Sequence, residues 1–162
     1  MKGLRSRSFY LEILLENIAD ELLSICSLSR ANLLYTGGGH AYILLPNIPE
    51  LRQNVDQGIK RINHNLIKHF GARLFVAYGF QPCTGNELMS RTNNPESYTQ
   101  IFRSVSAQIA AMKLRRYSSD DLRMLNSTGT DSEGRECVVC GISRDLTERE
   151  GRIMCGLCAA FI

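Results

Sequence analysis

Four cysteines fall in two close pairs, Cys137-Val-Val-Cys140 and Cys155-Gly-Leu-Cys158, with 14 residues between the pairs. Thiolates on either side of two turn residues can both face one ion, and two such knuckles complete a tetrahedral site with no open position. The spacing is close to that of four-cysteine zinc sites. Zinc held this way is structural, because the protein supplies every ligand and no bound water is left to activate. A single CxxC could instead run thiol–disulfide chemistry, but the paired arrangement favours metal. Gly141 and Gly156 follow cysteines where knuckle turns need room, and the charged stretch 142–154 reads as a loop or minimal hairpin. Cys26 and Cys83 stand apart, the first on the apolar side of a helix and the second in a loop.

A second candidate lies in residues 32–47, NLLYTGGGHAYILLPN. Two apolar runs flank Thr36-Gly37-Gly38-Gly39-His40, which reads as a hairpin. Three glycines remove every Cβ at the turn, so backbone N–H groups can approach a phosphate closely. His40 at the tip can donate to a phosphate or stack on a base, and a plain turn residue is the alternative. Residues 32–49 contain no Asp or Glu. A hairpin holding catalytic magnesium needs carboxylate oxygens, so this one can cradle a nucleotide or simply turn. His64 and His69 are spaced i,i+5, unlike the i,i+4 pair that binds metal from one helix face; both read as surface positions. Ser6, Arg7 and Ser8 join the candidate nucleotide contacts. Basic residues at a helix start oppose the dipole, so they either serve an anion held by the free N–H groups or form a solvated basic end.

The elements that must position these groups follow from periodicity. Residues 6–28 predict a helix with Leu11, Leu15, Ile18, Leu22 and Ile25 on one stripe. After the hairpin, residues 48–70 predict a second helix, capped by Asn47, with Pro49 in its first turn, Glu50 completing a capping-box-like spacing and Gly71 at its end. Its stripe is Leu51, Val55, Ile59, Ile62, Leu66 and Phe70. Residues 73–80, RLFVAYGF, read as a strand, and 84–90 as a short helical turn. A third long helix starts at Asn93-Asn94-Pro95, is lined by Tyr98, Ile101, Phe102, Val105, Ile109 and Met112, and ends in Lys113, Arg115 and Arg116. Those bases suit the negative end of the helix dipole, with RNA contact as the other reading. The polar, glycine-rich residues 126–136 read as linker or loop.

Helix, hairpin, helix, strand becomes βαββαβ once one strand is placed in front. The fold class is therefore α+β: a ferredoxin-like palm lacking its first strand, followed by a helical segment and a four-cysteine zinc knuckle. Missing that strand, the sequence is expected to be a piece of a longer protein. The expected division is 1–117 for the palm with its trailing helix, 118–136 for a linker and 137–162 for the zinc-binding segment. At 162 residues with a net charge of +3, the chain suits one domain plus an appendage. The mild basicity permits RNA or nucleotide contact without requiring it. No apolar run approaches the roughly 18 residues of a membrane span, Glu12 and Glu16 interrupt any signal-peptide core, and paired CxxC motifs suit a reducing compartment. The expected location is the cytoplasm.

Taken together, GLRSRSFYLEILLENIADELL, ANLLYTGGGHAYILLPN, KLRRYSSDDLRMLN and ECVVCG with CGLC resemble the large subunit of type III-A CRISPR effector complexes, a cyclase-like protein with two palm domains. The resemblance covers essentially the whole chain in order. It implies a first palm and a zinc-binding segment, drawn from a protein that also carries an HD nuclease domain acting on single-stranded DNA, a second palm and a helical C-terminal domain. The two palms bind two ATP molecules between them, and a GGDD motif in the second palm joins ATP into cyclic oligoadenylates. That messenger activates antiviral nucleases when target RNA is bound. This chain contains neither GGDD nor a His-Asp doublet, so the resemblance implies a non-catalytic, ATP-binding half inactive alone. Its expected partners are the second palm of the same full-length protein, other effector subunits, and crRNA and target RNA through the complex. A structural or RNA-contacting scaffold without nucleotide is the alternative. An independent zinc-ribbon nucleic-acid binder is disfavoured by the lack of aromatics between the CxxC pairs.

Overall fold

The computed structural model describes residues 2–127, 135–143, 145–149 and 151–161. The chain divides into two compact units, one built from 1–45 with 126–162 and the other from 46–125. No helix among the described residues is long and apolar enough to cross a membrane.

In the first unit, α1 spans Lys2–Ile25. It ends where Ser27 takes a left-handed φ of 55° and the Leu28 N–H reaches back to the Leu23 carbonyl at 2.8 Å, a Schellman-type closure with serine in the usual glycine place. The deepest line on the helix is Ala19, Leu23 and Cys26. This line lies one position beyond the expected stripe, of which Leu11 is 46% exposed, because a helix packed on a broad front buries a band rather than one row. Cys26 is in the core, as its place on the helix predicts. A 3-10 turn at Arg30–Asn32 leads into β1 (Leu33–Gly37), which pairs antiparallel with β2 (His40–Ile43). The Asn32 amide and backbone close the open end of this hairpin on Leu44, with bonds of 3.0 and 2.8 Å. Tyr35 and Tyr42 face each other across the strands at 6.1 Å between ring centroids. The same unit carries β3 (Leu146–Arg149), β4 (Arg152–Cys155) and α6 (Gly156–Ala160), so the short charged stretch between the cysteine pairs does form a hairpin.

In the second unit, α2 spans Pro49–Phe70 and buries Val55, Gly58, Ile59, Asn63, Leu66 and Ile67. Its N-cap is Ile48, without a side-chain cap. Asn47 instead accepts a hydrogen bond from Arg52 at 3.4 Å, which corrects the expected asparagine cap. Gly71 closes the helix at φ 60° with its N–H on the Ile67 carbonyl, as expected. Thr84 and Glu87 form a reciprocal capping box on α3 (Gly85–Leu88). The next helix, α4, spans Ser97–Leu114, and Arg116 Nε donates to the Lys113 carbonyl at its end. α5 occupies Ser119–Ser127, started by a reciprocal Ser118–Asp121 cap, so the front of the expected linker is helical. Residues 128–134 of that linker lie outside the described residues.

The predicted strand over 73–80 is the main correction. Residues 71–73 are a 3-10 turn, Leu74 leaves it in an extended conformation, and 74–80 enter no helix or ladder among the described residues. β-branched and aromatic residues favour an extended chain, but a strand also needs a neighbour. Side-chain amides stand in for one. Asn63 accepts from Val76 N–H at 2.8 Å and donates to its carbonyl at 2.9 Å. Gln108 does the same for Phe80, at 3.0 and 2.8 Å. The Tyr78 hydroxyl donates to Asp56 at 2.6 Å; burial, then the Asp56 bond and charge, push its pKa up to about 12.

Gly79 lets α4 lie close to this segment. A Cβ there would fall 2.9 Å from Gln108 Cβ and 3.0 Å from the Val105 carbonyl oxygen. One of those neighbours is backbone and cannot swing aside, so Gly79→Ala is expected to destabilise the chain by about 1–3 kcal/mol through overpacking. Thermal unfolding followed by circular dichroism checks this, and an unchanged midpoint would show that α4 has room to move.

Candidate metal centre and glycine hairpin

The two CxxC segments are shaped differently but converge. In the first, Cys140 and Gly141 donate their N–H groups to the Cys137 carbonyl at 3.2 and 2.8 Å, and the Cys137 N–H bonds the Ile142 carbonyl at 2.8 Å. Gly141 sits at φ 67°, the conformation its place in the knuckle predicts. In the second, Cys155 ends β4 and caps α6, which carries Cys158 one turn on. Gly156 is not at positive φ and a Cβ there would meet nothing within 4 Å, so the room expected at that position is not needed. The Val138 N–H bonds the Ile153 carbonyl at 3.0 Å and ties the first knuckle to β4.

The four sulfur atoms lie within 4.8 Å of one another. All six cysteines are free thiols. A 3.4 Å contact runs between Cys140 and Cys155, so the cluster joins sulfurs across the two pairs, as a shared ion requires. Burial opposes ionisation of Cys137, but hydrogen bonds from the backbone of Cys155, Val139 and Cys140 and from the Cys140 side chain bring it down to about 6. Burial pushes Cys155 and Cys158 up, Cys158 further through its hydrogen bonds with the neighbouring cysteines. Cys137 thus ionises readily while Cys155 and Cys158 resist until a cation compensates them, which suits a metal-binding cluster. Among the described residues the surrounding core is Met154 and Ala159 with Val139, Ile142 and Leu146 packed against it, little for so short a segment to stand on by apolar burial alone. The residues present therefore fit a tetrahedral zinc ion.

The hairpin tip has Gly37, Gly38 and Gly39 at φ 152°, 56° and 79°. Positive φ at both central residues is what a two-residue type I′ turn requires. His40 places Nδ1 3.0 Å from the Gly38 carbonyl. A carbonyl only accepts, so Nδ1 carries the proton in this bond and Nε2 is not used by it. The hairpin is fixed to α1 through Glu16, whose carboxylate accepts from the Thr36 hydroxyl and pairs with Arg30. Arg30 also reaches Asp20 at 3.4 Å. Glu16 lies off the apolar stripe expected for the first helix, and only the packing of helix on hairpin reveals its role.

The remaining candidates sit elsewhere on α1. Ser6 is partly buried and Ser8 exposed. The Arg7 guanidinium lies 3.9 Å from Cys158 Sγ. Arg7 and Glu16 are nine residues apart, about 13 Å along a helix axis. Residues 6–8 therefore lie near the cysteine cluster, and Gly37–His40 form the other group.

Residues 1–128 match the family described as Csm1 subunit domain B. The CRISPR system single-strand-specific deoxyribonuclease Cas10/Csm1 (subtype III-A) of Mycobacterium tuberculosis is 45% identical over 169 residues, covering 98% of this chain and 21% of that protein. A Csm1–Csm4 cassette solved in complex with one ATP superposes with a TM-score of 0.66 at 25% identity, over 80% of this chain and 18% of that one. A second, in complex with cA4, gives 0.64 at 27% identity over 71% and 16%. The chain thus spans about a fifth of the length of the curated relatives it matches.

Proposed function

Because this chain belongs to the Csm1 family of type III-A CRISPR systems, we propose that it serves as the non-catalytic, ATP-holding palm of a cyclic oligoadenylate synthetase in antiviral defence, with a structural zinc knuckle attached. The observation that carries the reading is the glycine turn: three residues at positive φ without side chains, next to a histidine whose Nδ1 is bonded to the Gly38 carbonyl. Backbone N–H groups there approach a phosphate, and His40 Nε2 accepts from a ribose hydroxyl or an adenine amino group. The turn brings no carboxylate, so the reactive metal ions must come from a facing domain. Preorganised donors of this kind help chemistry done on the opposite wall of a site. The cassettes with ATP and cA4 support nucleotide binding in this family. Zinc, held by Cys137, Cys140, Cys155 and Cys158, supplies folding and no reaction step.

A titration with MANT-ATP tests the reading. The chain is expected to bind saturably, and His40→Ala to weaken binding about three- to tenfold, the value of one hydrogen bond. The chain alone is expected to make no cyclic oligoadenylate from ATP. Absence of binding, or equal binding by His40→Ala, would leave a scaffold reading. That second reading is favoured by exposed apolar side chains, Phe9 on α1 at 64% and Leu34 and Tyr35 on β1 at 56% and 52%, which suit a surface covered by another effector subunit such as Csm4.

A further inference from the structure

A zinc ion with four thiolates carries a net charge of −2, and a buried charge of that size needs compensation. Among the described residues, α1 brings a cation to it. Arg7 Nη2 lies 3.9 Å from Cys158 Sγ, although the two residues are 151 positions apart. Tyr10, one turn further along α1, meets Phe161 edge-on at 5.2 Å between ring centroids. Arg7 and Tyr10 share a helix face at i,i+3. Cys158 and Phe161 have the same spacing, and Phe161 is held by its N–H on the Cys158 carbonyl at 3.2 Å. Two positions on α1 thus meet two positions on the second cysteine knuckle in matching register, one contact polar and one aromatic.

We infer that Arg7 is the outer-sphere counter-charge of the tetrathiolate centre, and that metal loading and docking of the start of α1 on the knuckle are one coupled event. The inference rests on the zinc reading of the four cysteines. Its physical basis is reciprocity: if Arg7 raises the affinity for the metal, the bound metal must raise the affinity of the knuckle for Arg7 by the same factor. Docking then fixes where the first helix lies relative to the zinc segment, although more than a hundred residues separate them in the chain. It also gives Arg7 a use that differs from nucleotide binding.

The test is a series of substitutions at Arg7, read by competition for zinc against the chromophoric chelator 4-(2-pyridylazo)resorcinol and by amide exchange. Zinc affinity is expected to fall in order of charge, from wild type through Arg7→Lys and Arg7→Gln to Arg7→Glu, with Arg7→Gln about tenfold weaker, as for other outer-shell partners of metal ligands. Amides of residues 5–10 are expected to exchange more slowly in the zinc-loaded wild type than in the metal-free protein, and Arg7→Gln to lose most of that difference. The cobalt-substituted protein reports the same change through its thiolate-to-metal charge-transfer band. Should Arg7→Gln fail to fold, the Lys variant alone must fall between wild type and a chelator-stripped baseline. Affinities within twofold across the series, or an order that does not follow charge, would overturn the inference while leaving the zinc site intact. A wild type that binds no zinc would overturn both.

Discussion

Replacing Cys155 by Ser is expected to abolish stoichiometric zinc binding and to melt the segment of β3, β4 and α6. Cys155 is buried, ends β4, caps α6 and lies 3.4 Å from Cys140. It therefore joins the two knuckles at the point where hairpin passes into helix. A hydroxyl there is a poor zinc ligand and leaves three thiols crowded together, which the ion no longer holds against their mutual repulsion. Structural zinc contributes about 10–16 kcal/mol of apparent binding free energy in small finger peptides, and the few apolar side chains around this site cannot replace it. Metal analysis of protein prepared without chelator is expected to return one zinc per chain for wild type and less than about a fifth of that for Cys155→Ser. Chelation of wild type is expected to open the same segment to proteolysis while α2 and α4 keep their helical signal. A metal-free wild type with the segment still protected would show that the cysteines are ordinary core residues.

How much of this could be read in advance depended on whether a feature is local. The CxxC spacing and the Gly37–Gly39 turn are local: the chemistry of two knuckles and the positive φ of a tight turn are set by residues within a few positions of each other. The apolar band of α2 and its stop at Gly71 are local in the same sense. The strand over 73–80 was misread because a strand is a relation between two segments, and the composition of Leu74, Phe75, Val76 and Tyr78 specifies only an extended backbone. The buried line on α1 moved by one residue because packing, not periodicity, chooses which edge of a broad band goes deepest. The sequence marks Arg7 as a candidate nucleotide contact near the expected helix start; its thiol partner, 151 residues away, is visible only in three dimensions. Asn63 gave no signal at all, since an asparagine within a helix usually faces solvent.

Asn63 carries the second large effect. Its side chain is buried and presents an amide to the backbone of Val76 as a neighbouring strand would, accepting from the N–H and donating to the carbonyl. Asn63→Leu has similar bulk but leaves both backbone groups without a partner. Each unsatisfied buried group costs about 1–3 kcal/mol, so the loss is expected to be about 2–6 kcal/mol, a large part of the stability of a domain this size. Asn63→Asp separates packing from hydrogen bonding. One carboxylate oxygen still accepts from Val76 N–H, but the other faces the Val76 carbonyl, so acceptor meets acceptor where a donor stood. The Asp variant is therefore expected to be clearly less stable than wild type at pH 7, and to recover part of the loss in acid, where the protonated carboxyl donates again. Gln108 makes the same pair of bonds to Phe80 from an exposed position, where water can replace them, so Gln108→Leu should cost no more than about 1 kcal/mol. Urea unfolding of the four proteins measures the comparison. If Asn63→Asp unfolds with wild type at pH 7, amide pairing is not what holds residues 74–80 extended, and the restraint must come from side-chain packing of Phe75 and Tyr78 instead.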